Sequence, residues 1–116
     1  DFQKPLRIDQ FLIANLLQKF MEDSSSKSTN PVSYIRKTLE ELSGSFALSI
    51  IDCDTNELYI ARVGSILNYN NKGCYSTMPG KGYKELKEGE IRRLDKRTLR
   101  FNKVGNFKHD SPFLFI

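Results

Sequence analysis

The chain has 116 residues, 39% hydrophobic, 11% aromatic and 28% charged, with two cysteines, one histidine and a net charge of +4. That length suits one globular domain and can bury a core without disulfide or metal staples. The composition excludes a wholly disordered chain, a disulfide scaffold and a membrane span, since no apolar run approaches the roughly 20 residues a bilayer needs.

The charge is unevenly placed. Residues 1–59 carry six Lys/Arg against nine Asp/Glu, and residues 60–116 carry twelve against five. Cys53 and Cys74 stand outside any CxxC pair, and with His109 alone they do not make a zinc set. They read as free thiols of a reducing, cytoplasmic compartment. The start, DFQKPLRID, has no apolar core of a signal peptide. No metal or cofactor is expected, and no membrane partner.

In chain order, residues 10–22 form the first expected helix. Leu12, Ile13, Leu16, Leu17 and Phe20 share one side at about 100° per residue. Asp9 is placed as its N-cap, with Ile8 and Ile13 as a hydrophobic staple. The same wheel sets Asp9 between Leu12 and Ile13, toward the interior, so it is either a plain cap or a carboxylate facing a cleft. DSSSKSTN at 23–30 reads as a mobile loop. A second helix follows, with Asn30 as cap, Pro31 at its first position, a stripe of Val32, Ile35, Leu39 and Leu42, and Gly44 as its end.

From residue 45 the apolar period becomes two. Phe46, Leu48 and Ile50 alternate with Ala47, Ser49 and Ile51, a strand apolar on nearly both sides that calls for cover on both faces. DCDTN turns into a partner strand, ELYIAR (57–62). ILNYN (66–70) and CYST (74–77) make a hairpin at Asn71–Gly73. After the loop MPGKGYKELKEG come EIRRLD and TLRFN, turning at Lys96–Arg97. Two helices followed by about six strands in hairpins define an α+β domain spanning 1–116.

No catalytic constellation emerges from the residues themselves. Phosphate-binding loops are absent, GKG at 80–82 being too short. His109 sits in a polar tail with no serine on a strained turn. Cys53 lies between Asp52 and Asp54, where negative neighbours disfavour a thiolate nucleophile, and Cys74 reads as a packing residue. The basic half supports a second reading, a nucleic-acid-binding β-rich domain using Arg92, Arg93, Lys96, Arg97 and Arg100 with Tyr83 and Phe101, although no RNA-recognition aromatic pair or GXXG loop accompanies them.

The run LEELSGSFALSIIDCDTNELYIARVGSILNY (39–69) resembles class II glutamine amidotransferases, the N-terminal-nucleophile hydrolases. Leu42, Gly44, Phe46, Ala47, Ile50 and Asp52 fit one part of that family's pattern. Leu58, Ala61, Arg62, Gly64, Ser65 and Leu67 fit the next. LKEGEIRRLDKRTLRFNKVG (86–105) is similar to the family's EGDI-type strand pair. The glutaminase of glucosamine-phosphate synthase looks nearest, through its arginine followed by a Gly-Ser step. The resemblance spans about residues 5–106 and implies the C-terminal half of a glutaminase domain, a partial αββα sandwich. It also implies that Asp9 binds the α-ammonium of glutamine, matching the family's motif at the aspartate alone. Arg62 then corresponds to a structural arginine. The N-terminal cysteine, the carboxylate-binding arginine and the Asn-Gly pair of the oxyanion hole have no counterpart here. The implied partners are glutamine and either the missing N-terminal half or another protein chain, including a second copy. As this chain alone it should be inert. A non-catalytic interaction module is the remaining alternative.

Overall fold

The computed structural model describes residues 13–20 and 30–109. Two compact units divide the chain, Asp1–Leu42 and Ser43–Ile116. The architecture is mixed α+β, with two helices and two antiparallel sheets among the described residues. Among the described residues, no helix is long and apolar enough to cross a membrane.

In the first unit, residues 13–20 are helical (α1). Ile13, Leu16, Leu17 and Phe20 are half-buried and the residues between them exposed, which is the stripe the 3.6-residue period demands. Asp9, Ile8 and residues 23–29 lie outside the described residues. Helix α2 is Pro31–Glu41. Asn30 caps it as expected, its Oδ1 accepting from Val32 N at 3.1 Å, with Pro31 where a missing N–H costs nothing. Its buried residues are Tyr34, Ile35, Thr38 and Leu39, while Val32 and Leu42 are only half-buried. The buried stripe is therefore rotated from the purely apolar one. Thr38 can join it because its hydroxyl donates to Tyr34 O at 2.8 Å, satisfying a polar atom within the helix. Leu42, in extended conformation, ends the helix, and Gly44 takes its positive φ two residues later, in the step into the sheet.

The second unit holds both sheets. Strands β1 (Phe46–Asp52), β2 (Glu57–Val63), β6 (Glu90–Asp95) and β7 (Arg100–Asn106) form one sheet in the order β1-β2-β6-β7. Short strands β3 (Asn68–Tyr69), β4 (Tyr75–Ser76) and β5 (Lys84–Glu85) form the other, in the order β4-β3-β5. The two pack through Ile60 and Phe101 of the larger sheet against Tyr69 of the smaller and Leu67 and Leu86, which flank β3 and β5, with Ala47, Leu58 and Leu94 at the margin. On the opposite face of the larger sheet Tyr59, Ala61, Val63 and Ile91 are also buried. The strand covered on both faces is thus β2, from Tyr59 to Val63. The apolar alternation of β1 pointed to β1 instead. That strand lies at the end of the sheet order, where Ser49 is exposed and Ile51 is 62% exposed, because the small sheet does not reach over it.

Three further differences have local causes. Strand β5 falls inside the expected loop, since two charged residues carry no β signal and only pairing with β3 (Asn68↔Glu85, Tyr69↔Lys84) makes them a strand. Strand β7 runs on to Asn106 through a bulge opposite Ile91/Arg92, and this extra residue hides the two-residue period. The last hairpin does not turn on Lys96–Arg97 alone. Asp95 Oδ1 accepts from Arg97 N at 2.9 Å and Thr98 N at 3.4 Å, and Leu99 N closes on Asp95 O at 2.7 Å, which makes a four-residue loop.

The β1–β2 loop repeats that geometry. Asp52 Oδ1 accepts from Asp54 N at 2.9 Å and Thr55 N at 3.4 Å, and Asn56 N closes on Asp52 O at 2.6 Å. The last loop residue has positive φ in both, Asn56 at 60° and Leu99 at 61°. Asparagine tolerates that conformation; leucine pays for it.

Candidate functional site

The densest polar constellation among the described residues centres on Arg62. Two-residue alternation from Ile60 turns the Arg62 side chain toward the small sheet, where it is 8% exposed. Its Nε donates to Leu86 O at 2.5 Å, NH1 to Ser65 O at 3.3 Å, and NH2 to Glu85 Oε2 at 2.8 Å; Glu88 Oε2 lies 3.5 Å from NH1. Main-chain bonds close the same region, from Gly89 N to Arg62 O at 3.3 Å and from Leu86 N to Leu67 O at 2.8 Å. One planar guanidinium thereby ties the end of β2, the turn after it and the end of β5.

The glycine next to it is required by space. Gly64 has φ +77°, and a Cβ there would come within 2.8 Å of Ser45 Cβ. The segments Gly44–Phe46 and Arg62–Ser65 are therefore held in contact, with Phe46 opposite Val63 and Ala47 opposite Arg62 in the ladder.

A second network lies along β6. The Glu90 side chain is 9% exposed; its Oε1 is 3.0 Å from Arg92 Nε and its Oε2 3.9 Å from Lys103 Nζ. Arg92 also donates through NH1 to Phe101 O at 2.8 Å and lies over the Tyr69 ring, 5.1 Å from its centroid. Gly89, at φ +80°, leaves room for the edge of His109, whose ring packs on Phe107 at 6.0 Å. His109 is exposed, as a tail histidine should be.

In the small sheet, Ser76, Asn68 and Glu85 are direct cross-strand partners and so share a face. Asn68 is buried, and its Nδ2 has no hydrogen-bond partner. Nothing in its sequence context signals this, because Asn reads as a turn former.

Both cysteines are free and exposed. Cys53 sits in the acidic turn, as expected. Cys74 is not the packing residue its alternation with Tyr75 implies: its N–H donates to Asn70 Oδ1 at 2.9 Å and its carbonyl accepts from Asn70 N at 3.0 Å, which holds it in the turn. In the basic set, Arg92 is engaged inward and Phe101 is buried, so the exposed members are Arg93, Lys96, Arg97 and Arg100. Tyr83 is half-buried against Gly80.

Two groups are electrostatically displaced. Burial raises the Tyr59 phenol above its ordinary range, opposed by the hydrogen bond and charge of Arg93 and assisted by Glu57 and Asp52. The Arg97 N–H holds Asp95 below the ordinary carboxylate range, with help from Thr98 N–H and the Arg97 charge against some desolvation. No group of three or more His, Cys, Asp or Glu able to hold a metal occurs among the described residues. No protein-family model matches the chain, and no curated protein or solved structure matches it either. The geometry around Arg62 and Glu90 is that of fold closure: each charged group is spent on a carbonyl or a neighbouring charge rather than aimed at an open site.

Proposed function

We propose that the chain is the C-terminal half of a glutamine amidotransferase domain, a partial αββα sandwich working in the cytoplasm. It would bind glutamine through Asp9 within an intact parent and be inert alone. The observation that carries this reading is the Arg62–Gly64–Ser45 junction. In the resembling pattern the Arg-x-Gly-Ser step and the Gly-x-Phe step are separate stretches, and here they meet at a contact that only glycine permits. The reaction would be thioester-forming amide hydrolysis with release of ammonia, its cysteine, carboxylate-binding arginine and oxyanion donors supplied by another segment. This chain contributes the ammonium-binding carboxylate and the sheet on which the site is assembled.

The test is glutamine hydrolysis by the intact parent and its Asp9→Asn variant. Asn caps a helix as well as Asp does, so folding is preserved. Loss of a charge-assisted contact, about 1.5–3 kcal/mol, corresponds to an about 10- to 150-fold fall in kcat/KM. Unchanged hydrolysis would leave Asp9 a cap and remove the site from the reading.

A further inference from the structure

The twin turns raise a question that the proposed activity does not answer. β1 and β6 run in the same direction in the sheet order β1-β2-β6-β7, so the loops that follow them, residues 53–56 and 96–99, emerge side by side at one end. Strand spacing puts them about 10 Å apart. Their backbones are alike, but their charges are opposite. The first carries Asp54, with Glu57 directly after it and Asp52 held within its own turn. The second carries Lys96 and Arg97, with Arg100 directly after it and Asp95 held within its own turn.

An exposed aliphatic side chain lies near each turn, Ile51 near the end of β1 and Leu99 in the second loop. Ile51 is 62% exposed and Leu99 45% exposed. Ile51 lies on the face that carries the small sheet, since it pairs with Leu58 of that face. Leu99 packs over Gly73 of the β3–β4 turn, where a Cβ would lie 3.4 Å from its Cδ2, beside exposed Lys72. Leu99 keeps an unfavourable positive φ at a position where the sister turn has Asn56. A strained backbone that presents an exposed leucine among cations points to a role in recognition.

We propose that this end of the sheet docks onto the same end of a second copy. A two-fold axis normal to the sheet, between β2 and β6, sets the acidic turn of each copy against the basic turn of the other. It brings Ile51 of one copy toward Leu99 of its partner on the same face. Such a contact is isologous and closes at two copies. The acidic turn with its neighbouring isoleucine is the complement that the basic turn with its leucine requires. Two turns a side bury less than a standard interface, so the dimer is weak and its encounter salt-dependent.

Sedimentation velocity over a concentration series of the full chain tests this. At about 10 mM salt, where the Debye length is about 30 Å, a monomer–dimer equilibrium is expected below about 1 mM protein; at about 0.5 M salt it should vanish. Asp54→Lys and Arg97→Glu each set like charges together at two symmetric places and should raise the dissociation constant at least about tenfold. The double swap D54K/R97E should return it to within about threefold of the original. Neither change replaces the capping carboxylates Asp52 and Asp95, which accept from main-chain N–H groups, and circular dichroism checks that the fold is kept. Leu99→Asn, which suits positive φ, should weaken the dimer without altering charge. A monomer throughout at low salt, an open polymer, or a dimer that the double swap does not restore would each overturn the proposal.

Discussion

The Arg62 junction makes a quantitative demand. Replacing Arg62 by Met keeps the aliphatic stem and removes every donor. Leu86, fully buried, then has a carbonyl without a partner, a loss of about 1–3 kcal/mol. The longer contact to Ser65 O, at 3.3 Å, adds about 0.5–1 kcal/mol. Glu85 and Glu88, with side chains 58% and 32% exposed, regain water when released, so each contributes under about 1 kcal/mol. The total expected loss is about 1.5–6 kcal/mol, centred near 4 kcal/mol, a large share of an ordinary domain's stability. In urea, with a slope of about 2 kcal/mol per molar, the midpoint should fall by about 2 M. Glu85→Gln should cost under about 1 kcal/mol, and Arg62→Lys, which cannot reach three acceptors at once, should fall between. Equal losses from Glu85→Gln and Arg62→Met would refute the reasoning, because the ion pair rather than the carbonyl contacts would then hold the junction.

Gly64→Ala should destabilise by more than about 2 kcal/mol, as strain at φ +77° adds to the collision with Ser45, whereas Gly44→Ala, with open space around it, should cost only the strain of about 1–2 kcal/mol; comparable losses in thermal unfolding would contradict this. Asn68→Leu should be neutral or stabilising by thermal melt, because a buried Nδ2 without a partner is replaced by a group of similar shape that needs none; clear destabilisation would mean that the amide serves a water or ligand. The raised Tyr59 phenol favours its neutral form in the fold, so its contribution is complete below the unfolded value of about 10 and is lost as pH climbs through the folded value; Tyr59→Phe should flatten that alkaline limb of a stability titration. Asp95 behaves oppositely: lowered in the fold, it stabilises above the ordinary carboxylate value and loses this as pH falls through the folded value, and Asp95→Asn should keep the turn while removing that acid dependence.

Legibility in the sequence followed the range of the interaction. The α2 cap at Asn30–Pro31, the α1 stripe and the 52–57 hairpin depend on neighbours within a few residues, and each could be read directly. Exposure of Ile51 could not, because it depends on how far the small sheet extends, which a period-two pattern does not encode. Strand β5 and the β7 bulge are likewise set by partners elsewhere in the chain. At the site level, Arg-x-Gly-Ser stood out as a pattern, but its physical meaning needed Ser45 and Leu86 in place. Buried Glu90 and Asn68 gave no signal, since both residue types are ordinarily solvated.

The ladder between β2 and β6 has a kinetic consequence. Each outer hairpin closes over four residues, yet Tyr59 pairs with Arg93 and Ala61 with Ile91, so joining the hairpins must draw together points some thirty residues apart. The intervening segment is the small sheet, whose strands are two residues long and have little strength alone. The two hairpins should appear on the microsecond scale, and docking of β2 on β6, with the small sheet condensing over them, should set the overall folding rate. Substitutions at Arg62, which binds across that closure, would then slow folding, whereas those in the twin turns would leave the late step untouched.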